Sequence, residues 1–118
     1  MPTSFIDYQG KKILFIDYSG LKKKEEMLDT LYQAVQLANQ SSERLRTLID
    51  ITDSSGSHEW MEESKRQGKE MREKADKTAI VGVKGVKKVL LMGYNTVVGG
   101  RVKPFSTKES ALAYLNGD

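Results

Sequence analysis

What most constrains the fold of this chain is the alternation of short apolar runs, each closed by glycine or polar residues, with stretches of helical periodicity. Phe5-Ile6-Asp7-Tyr8 and residues 13–18 are strand-like, and Gln9-Gly10-Lys11-Lys12 between them supplies the positive φ of a tight hairpin turn. Ser19-Gly20 closes the second run. Met27, Leu28, Leu31, Tyr32, Val35 and Ala38 then recur at helical spacing through Asn39. Residues 46–52 read as a third strand, in which Leu48, Ile49 and Ile51 imply burial on both faces. After a polar break at residues 53–57, a helix is expected from about His58 to Lys74. Its apolar stripe is thin (Met61, Ser64, Gly68, Met71, Ala75), and the small residues suit close approach to a sheet. Its acids come first and its bases later, as the helix dipole favours.

Residues 78–83 form a fourth apolar run, and Val86, Val89, Leu90 and Gly93 give a short helix after Gly85. Gly99-Gly100 marks a break before a weak edge strand, Arg101-Val102-Lys103, whose charges and following Pro104 suit exposure. Ser106-Thr107-Lys108-Glu109 has the form of a capping box, opening a last helix with Ala111, Leu112 and Leu115 on one face. The order β-β-α-β-α-β-α-β-α predicts a single α/β domain over residues 1–118. Its mixed central sheet would begin with an antiparallel hairpin and continue through right-handed crossovers, with helices packed on it. Tyr8, Tyr18 and Tyr32 are expected in the core or at strand ends.

Composition removes whole classes of chemistry. The 118 residues are 38% hydrophobic and 30% charged, a balance for one folded domain rather than a disordered chain. Cysteine is absent and histidine occurs once, which excludes thiol nucleophiles, disulfide scaffolds and Cys- or His-rich metal centres. No metal and no cofactor is expected. The apolar runs at 13–16 and 89–92 are far shorter than the roughly 20 residues of a membrane span. Met1-Pro2-Thr3-Ser4 lacks the basic start and apolar stretch of a signal peptide, so a cytoplasmic protein is expected.

The net charge of +3 conceals an uneven distribution. Residues 77–108 carry seven basic side chains and no acid. Within them Gly82-Val83-Lys84-Gly85-Val86-Lys87-Lys88 joins a strand to a helix N-terminus, where Gly82, Lys84, Gly85, Lys87 and Lys88 are candidate ligands for a phosphate or carboxylate. The stretch is neither a Walker A loop nor a dinucleotide fingerprint, and without interleaved aromatics it does not point to nucleic acid. A solvated lysine-rich face explains the same charges.

In its element order, in Leu48-Ile49-Asp50-Ile51 and Thr78-Ala79-Ile80-Val81-Gly82, and in the closing segment from Pro104 to Leu115, the chain resembles the STAS-like superfamily (sulfate transporter and anti-sigma factor antagonist domains). It is most similar to the stage II sporulation protein AA-like branch. The resemblance implies a small non-enzymatic regulatory or ligand-binding domain that often self-associates, so a protein partner and a homodimer are candidate associations. Asp53-Ser54-Ser55-Gly56 is similar to the loop in which such antagonists are phosphorylated on serine. Ser54 is the nearest counterpart and Ser55 the alternative, while Asp53, Gly56 and Trp60 become the candidate partner surface. The same loop also reads as ordinary strand-to-helix capping.

An alternative is a carrier for a small anionic or lipid-like molecule, using the 82–88 loop and an apolar pocket walled by Trp60 and Tyr94. A Ser–His–Asp hydrolase built from Ser54, Ser55, His58 and Asp50 or Asp53 is disfavoured. Triad members crowded on one loop rarely aim at one another, and no nucleophile elbow is present.

Overall fold

The hairpin at the N-terminus sets the sheet's first edge. In the computed structural model, which describes residues 3–98 and 102–117, strands β1 (Thr3–Tyr8) and β2 (Lys11–Asp17) pair antiparallel, with Tyr8 opposite Lys11. Both residues of the two-residue turn, Gln9 and Gly10, have positive φ, the geometry whose twist matches the flanking strands. The Gly10 amide donates to Asp7 Oδ1 at 3.0 Å.

From β2 onward every pairing is parallel. β3 (Leu45–Asp50), β4 (Ala75–Val81) and β5 (Val102–Phe105) add in sequence order, giving a five-stranded sheet β1-β2-β3-β4-β5. The crossovers are α1 (Lys24–Gln40), α2 (His58–Glu70) with a 3-10 turn at Arg72–Lys74, and α3 (Val86–Val98). Strands that advance in one direction through right-handed crossovers place all their helices on the same face. The core obeys this rule. Leu14, Ile16, Tyr18, Leu45, Ile51 and Ile80 face Met27, Ala34 and Ala38 of α1, with Trp60, Met71 and Leu91 packed beside them. On the opposite face Ile13, Leu48, Ala79 and Val81 meet Ala111 and Leu115 of α4 (Lys108–Asn116). Leu48 and Ile51 therefore serve opposite cores, as the apolar run around them predicts.

The element order and mixed sheet are those expected, and several local details differ. The helix expected to reach Lys74 ends at Glu70, a 3-10 turn follows at Arg72–Lys74, and Ala75, expected on the helix stripe, opens β4. α3 is longer than the expected short helix, running 13 residues through Gly93. The N-cap of α4 is Thr107, whose Oγ1 accepts from the Ser110 amide at 3.1 Å, and not Ser106. Starting one residue later brings Ala111 and Leu115, one turn apart, onto the sheet with no exposed surface. Tyr32 is 41% exposed on the outer face of α1 and belongs to no core. Pro104 sits inside β5, which an edge strand tolerates because one side needs no amide donor. Gly99-Gly100 and Arg101 lie outside the described residues, as do the side chains of Val86, Val89 and Leu90.

Cations from β3 and β4 tie the C-terminus of α4 to the sheet. The Arg46 guanidinium donates to the carbonyls of Leu115 and Gly117 and pairs with Asp76 at 3.1 Å. Lys77 Nζ donates to the Tyr114 and Gly117 carbonyls at 3.2 and 2.9 Å. Both satisfy carbonyls that a helix end leaves without partners and oppose its negative dipole end.

Candidate functional site

The helix layer does not close down on the sheet. α2 packs on α1 and α3 rather than on a strand, and none of its residues is buried. The small side chains at Ser64 and Gly68, expected to let this helix lie close, instead leave a gap. Larger groups near its two ends, Trp60 and Met71, reach the core across that gap. What results is a cavity of about 890 Å³ between the sheet and all three crossover helices. Its floor is Leu14, Ile16, Ile49, Ile51 and Ile80, with Thr47 and Thr78; α1 contributes Leu31, Ala34, Val35 and Ala38. Trp60, Met61, Ser64 and Gly68 of α2, Met71 just past its end, and Leu91 and Tyr94 of α3 form the roof. Protein interiors rarely hold voids larger than a water molecule. This one is partly open to solvent, and Arg44, Glu62, Lys65, Arg72 and Asp76 join its mostly apolar lining.

Aromatic groups control one end. The Tyr18 ring meets Trp60 edge-on, centroids 5.2 Å apart and planes at 80°. Burial pushes the Tyr18 phenol well above its ordinary value, with the nearby Trp60 indole N–H pulling more weakly the other way, and burial also raises Tyr94. Both phenols therefore stay neutral across the physiological range. The indole Nε1 lies close enough to the Tyr18 oxygen to act on that phenol but makes no well-formed hydrogen bond, and Ser64 Oγ one turn on is likewise buried without a partner. An unmet buried donor costs about 1–3 kcal/mol, so two on one helix face are a notable expense.

The loops singled out by sequence meet at the carboxyl edge of the sheet. Gly82 (φ +90°) packs on Thr52 so closely that a side chain there would begin 2.5 Å from the Thr52 amide nitrogen. Lys87 Nζ donates to the carbonyls of Ile51 and Ser54 at 3.2 and 3.1 Å. The Lys87 and Lys88 amides donate to the Lys84 and Gly85 carbonyls, so they close the turn instead of pointing at a ligand. Lys84 and Lys88 are exposed, and Gly85 has open space around it. The 82–88 loop thus braces the 53–56 loop through Lys87.

Ser54 is 8% exposed, its hydroxyl donating to the Ile51 carbonyl at 2.8 Å. Ser55 is exposed, anchored through its amide to the Leu21 carbonyl at 2.9 Å. Asp53 (φ +54°) is exposed and paired with Lys22 at 2.7 Å, whose ammonium holds the carboxyl below its usual range. Gly56 is exposed where it borders the Trp60 ring, and Trp60 itself turns inward rather than toward solvent. The α2 N-cap is Ser57, which accepts from the Trp60 amide at 3.0 Å, so Ser54 lies upstream of the helix start. His58 is exposed in the first turn, and the Ser54 hydroxyl is committed to a carbonyl, so no Ser–His pair forms.

Sequence reasoning brought out Trp60 and Tyr94 as pocket walls but missed Ser64 as a polar group facing the space. The signal was available, because Trp60 and Ser64 stand one turn apart on one helix face.

The profile of the SpoIIAA-like family matches residues 13–116. In structure the chain is similar to an uncharacterised protein with a SpoIIAA-like fold from Shewanella loihica PV-4, at a TM-score of 0.69 and 24% identity. That match covers 96% of this chain and 91% of the other. No curated protein matches the chain. Among the described residues, no helix is long and apolar enough to cross a membrane.

Proposed function

The chain belongs to the SpoIIAA-like family, and from that footing we propose that it is a non-enzymatic cytoplasmic binding domain whose ligand is an apolar small molecule held beneath α2. The observation that carries this reading is the cavity of about 890 Å³, a size usual for ligand pockets, with a mostly apolar lining joined by polar and charged side chains. A sheet wound in one direction has no switch point in its parallel part, where open α/β sheets ordinarily bind ligands. Space opens here between layers instead. Native mass spectrometry of freshly purified protein tests the proposal. A noncovalent adduct that survives gentle ionisation and disappears on denaturation supports it. Bare protein that also fails to take up an added apolar probe refutes it.

The second reading, regulation of a protein partner, is favoured by the exposed Asp53-Ser55-Gly56 surface. It lies beside the ion-paired outer face of α2, where Lys24 pairs with Glu59 at 3.0 Å and Lys65 with Glu62 at 3.2 Å. Incubation with cell extract and ATP followed by peptide mass spectrometry checks for modification of this loop; an unmodified loop weighs against phosphorylation control.

A further inference from the structure

Resting on the cavity reading, we infer that the ligand carries an uncharged hydrogen-bond-accepting oxygen, which the Trp60 indole N–H and the Ser64 hydroxyl bind on the inner face of α2. Among the described residues four buried side-chain atoms lack partners, and two of them, Trp60 Nε1 and Ser64 Oγ, belong to residues that line the cavity one turn apart. An indole nitrogen can only donate, and a serine hydroxyl donates or accepts as its rotor turns. The neighbouring phenols of Tyr18 and Tyr94, held neutral by burial, add no charge to this end. The cation nearest the adjoining loop, Lys87, is engaged by the Ile51 and Ser54 carbonyls.

Neutral donors in apolar surroundings suit a carbonyl or hydroxyl oxygen. They suit a carboxylate less well, because it would lose its hydration while lining cations such as Lys65, Arg44 and Lys87 already have partners in Glu62, Asp76 and the Ile51 and Ser54 carbonyls. The cavity reaches from Ser54 and Lys87 at the carboxyl edge to Arg44 and Ala75 at the amino edge. That distance is roughly 20 Å for strands rising about 3.3 Å per residue. The occupant is therefore elongate and apolar, with its oxygen beneath α2.

The chain has a single tryptophan, so one indole N–H resonance in a nitrogen–proton correlation spectrum reports the contact directly. The experiment titrates the protein with 2-decanone and with 1-decene, which are matched in length and differ in the oxygen. Both are expected to shift cavity methyl resonances, the ketone binding about fivefold tighter. Only the ketone should move the indole proton downfield. Trp60→Phe and Ser64→Ala should each bring the ketone's affinity closer to that of the alkene while leaving alkene binding in place. Equal affinities with an unmoved indole resonance overturn the polar contact but leave the cavity reading standing. Failure of both ligands to bind overturns both.

Discussion

The edge-on contact between Tyr18 and Trp60 joins the end of β2 to the first turn of α2 and fixes the height at which the helix layer stands above the sheet. Tyr18 is buried in the core, whereas Trp60 reaches toward it from a helix with no buried residue of its own. Edge-to-face aromatic pairs contribute about 0.5–1.5 kcal/mol beyond their buried area. Replacing Trp60 by Ala should therefore loosen α2 selectively. Hydrogen exchange is expected to accelerate in α2 while the β3 and β4 amides keep their protection. Equal acceleration in both would show that the helix and sheet open as one unit.

Filling the gap should help the fold and harm binding. Ser64→Leu removes a hydroxyl without a partner and places a branched side chain in the cavity. Cavity-filling changes commonly add about 0.5–2 kcal/mol. Thermal unfolding should shift upward by several degrees, and uptake of an apolar probe should be lost. A lower Tm with intact probe binding would mean that Ser64 does not face the space.

Alkali should weaken the protein through Tyr18. Its phenol is raised above the ordinary value of 10.0 by burial, so between that value and its folded-state pKa the unfolded chain loses a proton that the folded chain keeps. By linkage, stability is unaffected by this group below about pH 9 and falls as pH rises past 10. Urea unfolding between pH 8 and 11.5 should show that decline, with a shallower slope in Tyr18→Phe. Identical slopes in the two proteins would remove Tyr18 as the cause.

The two serines of the 53–56 loop should respond differently to an added charge. Ser54 is buried with its hydroxyl on the Ile51 carbonyl, and Ser55 is exposed. Ser54→Asp places a carboxylate against that carbonyl and is expected to cost about 2–4 kcal/mol, through both lost hydrogen bonding and burial of charge. Ser55→Asp should remain within about 0.5 kcal/mol of wild type, as surface changes do. Denaturant midpoints check both. If a kinase acts here, modification is expected on Ser55.

Arg46 should matter more than its place on a strand suggests. Its guanidinium joins Asp76 to the last carbonyls of α4. Arg46→Ala should destabilise by about 1–3 kcal/mol and expose the C-terminal helix to limited proteolysis before the rest of the chain. Uniform cleavage would argue that α4 is held by Ala111 and Leu115 alone.

Much of this architecture is legible in the sequence because it follows from periodicity and glycine placement. Gln9-Gly10 gives the hairpin. The unbroken apolar run at Leu48-Ile49 gives a strand buried on both sides, and each crossover follows from alternating strand and helix patterns. The height of α2 is not legible. A stripe of Ser64 and Gly68 identifies the inward face, but small residues permit a close helix and a hollow equally well. The outcome depends on Trp60 and Met71 reaching the core from either end. The inward turn of Trp60 and the bracing role of Lys87 are also tertiary facts. Lys87 reads in sequence as part of a basic cluster, and only the fold places the Ile51 and Ser54 carbonyls within its reach.

The central claim is that the space beneath α2 binds an apolar molecule, and a methyl-resolved carbon–proton NMR titration with 1-decene tests it most directly. The two cores act as each other's control. Saturable shifts are expected at Leu14, Ile16, Ile51 and Ile80, which line the cavity, and none at Ile13, Leu48 and Leu115 on the opposite face. Absent or unsaturable shifts at the first group, or equal shifts in both, would contradict it.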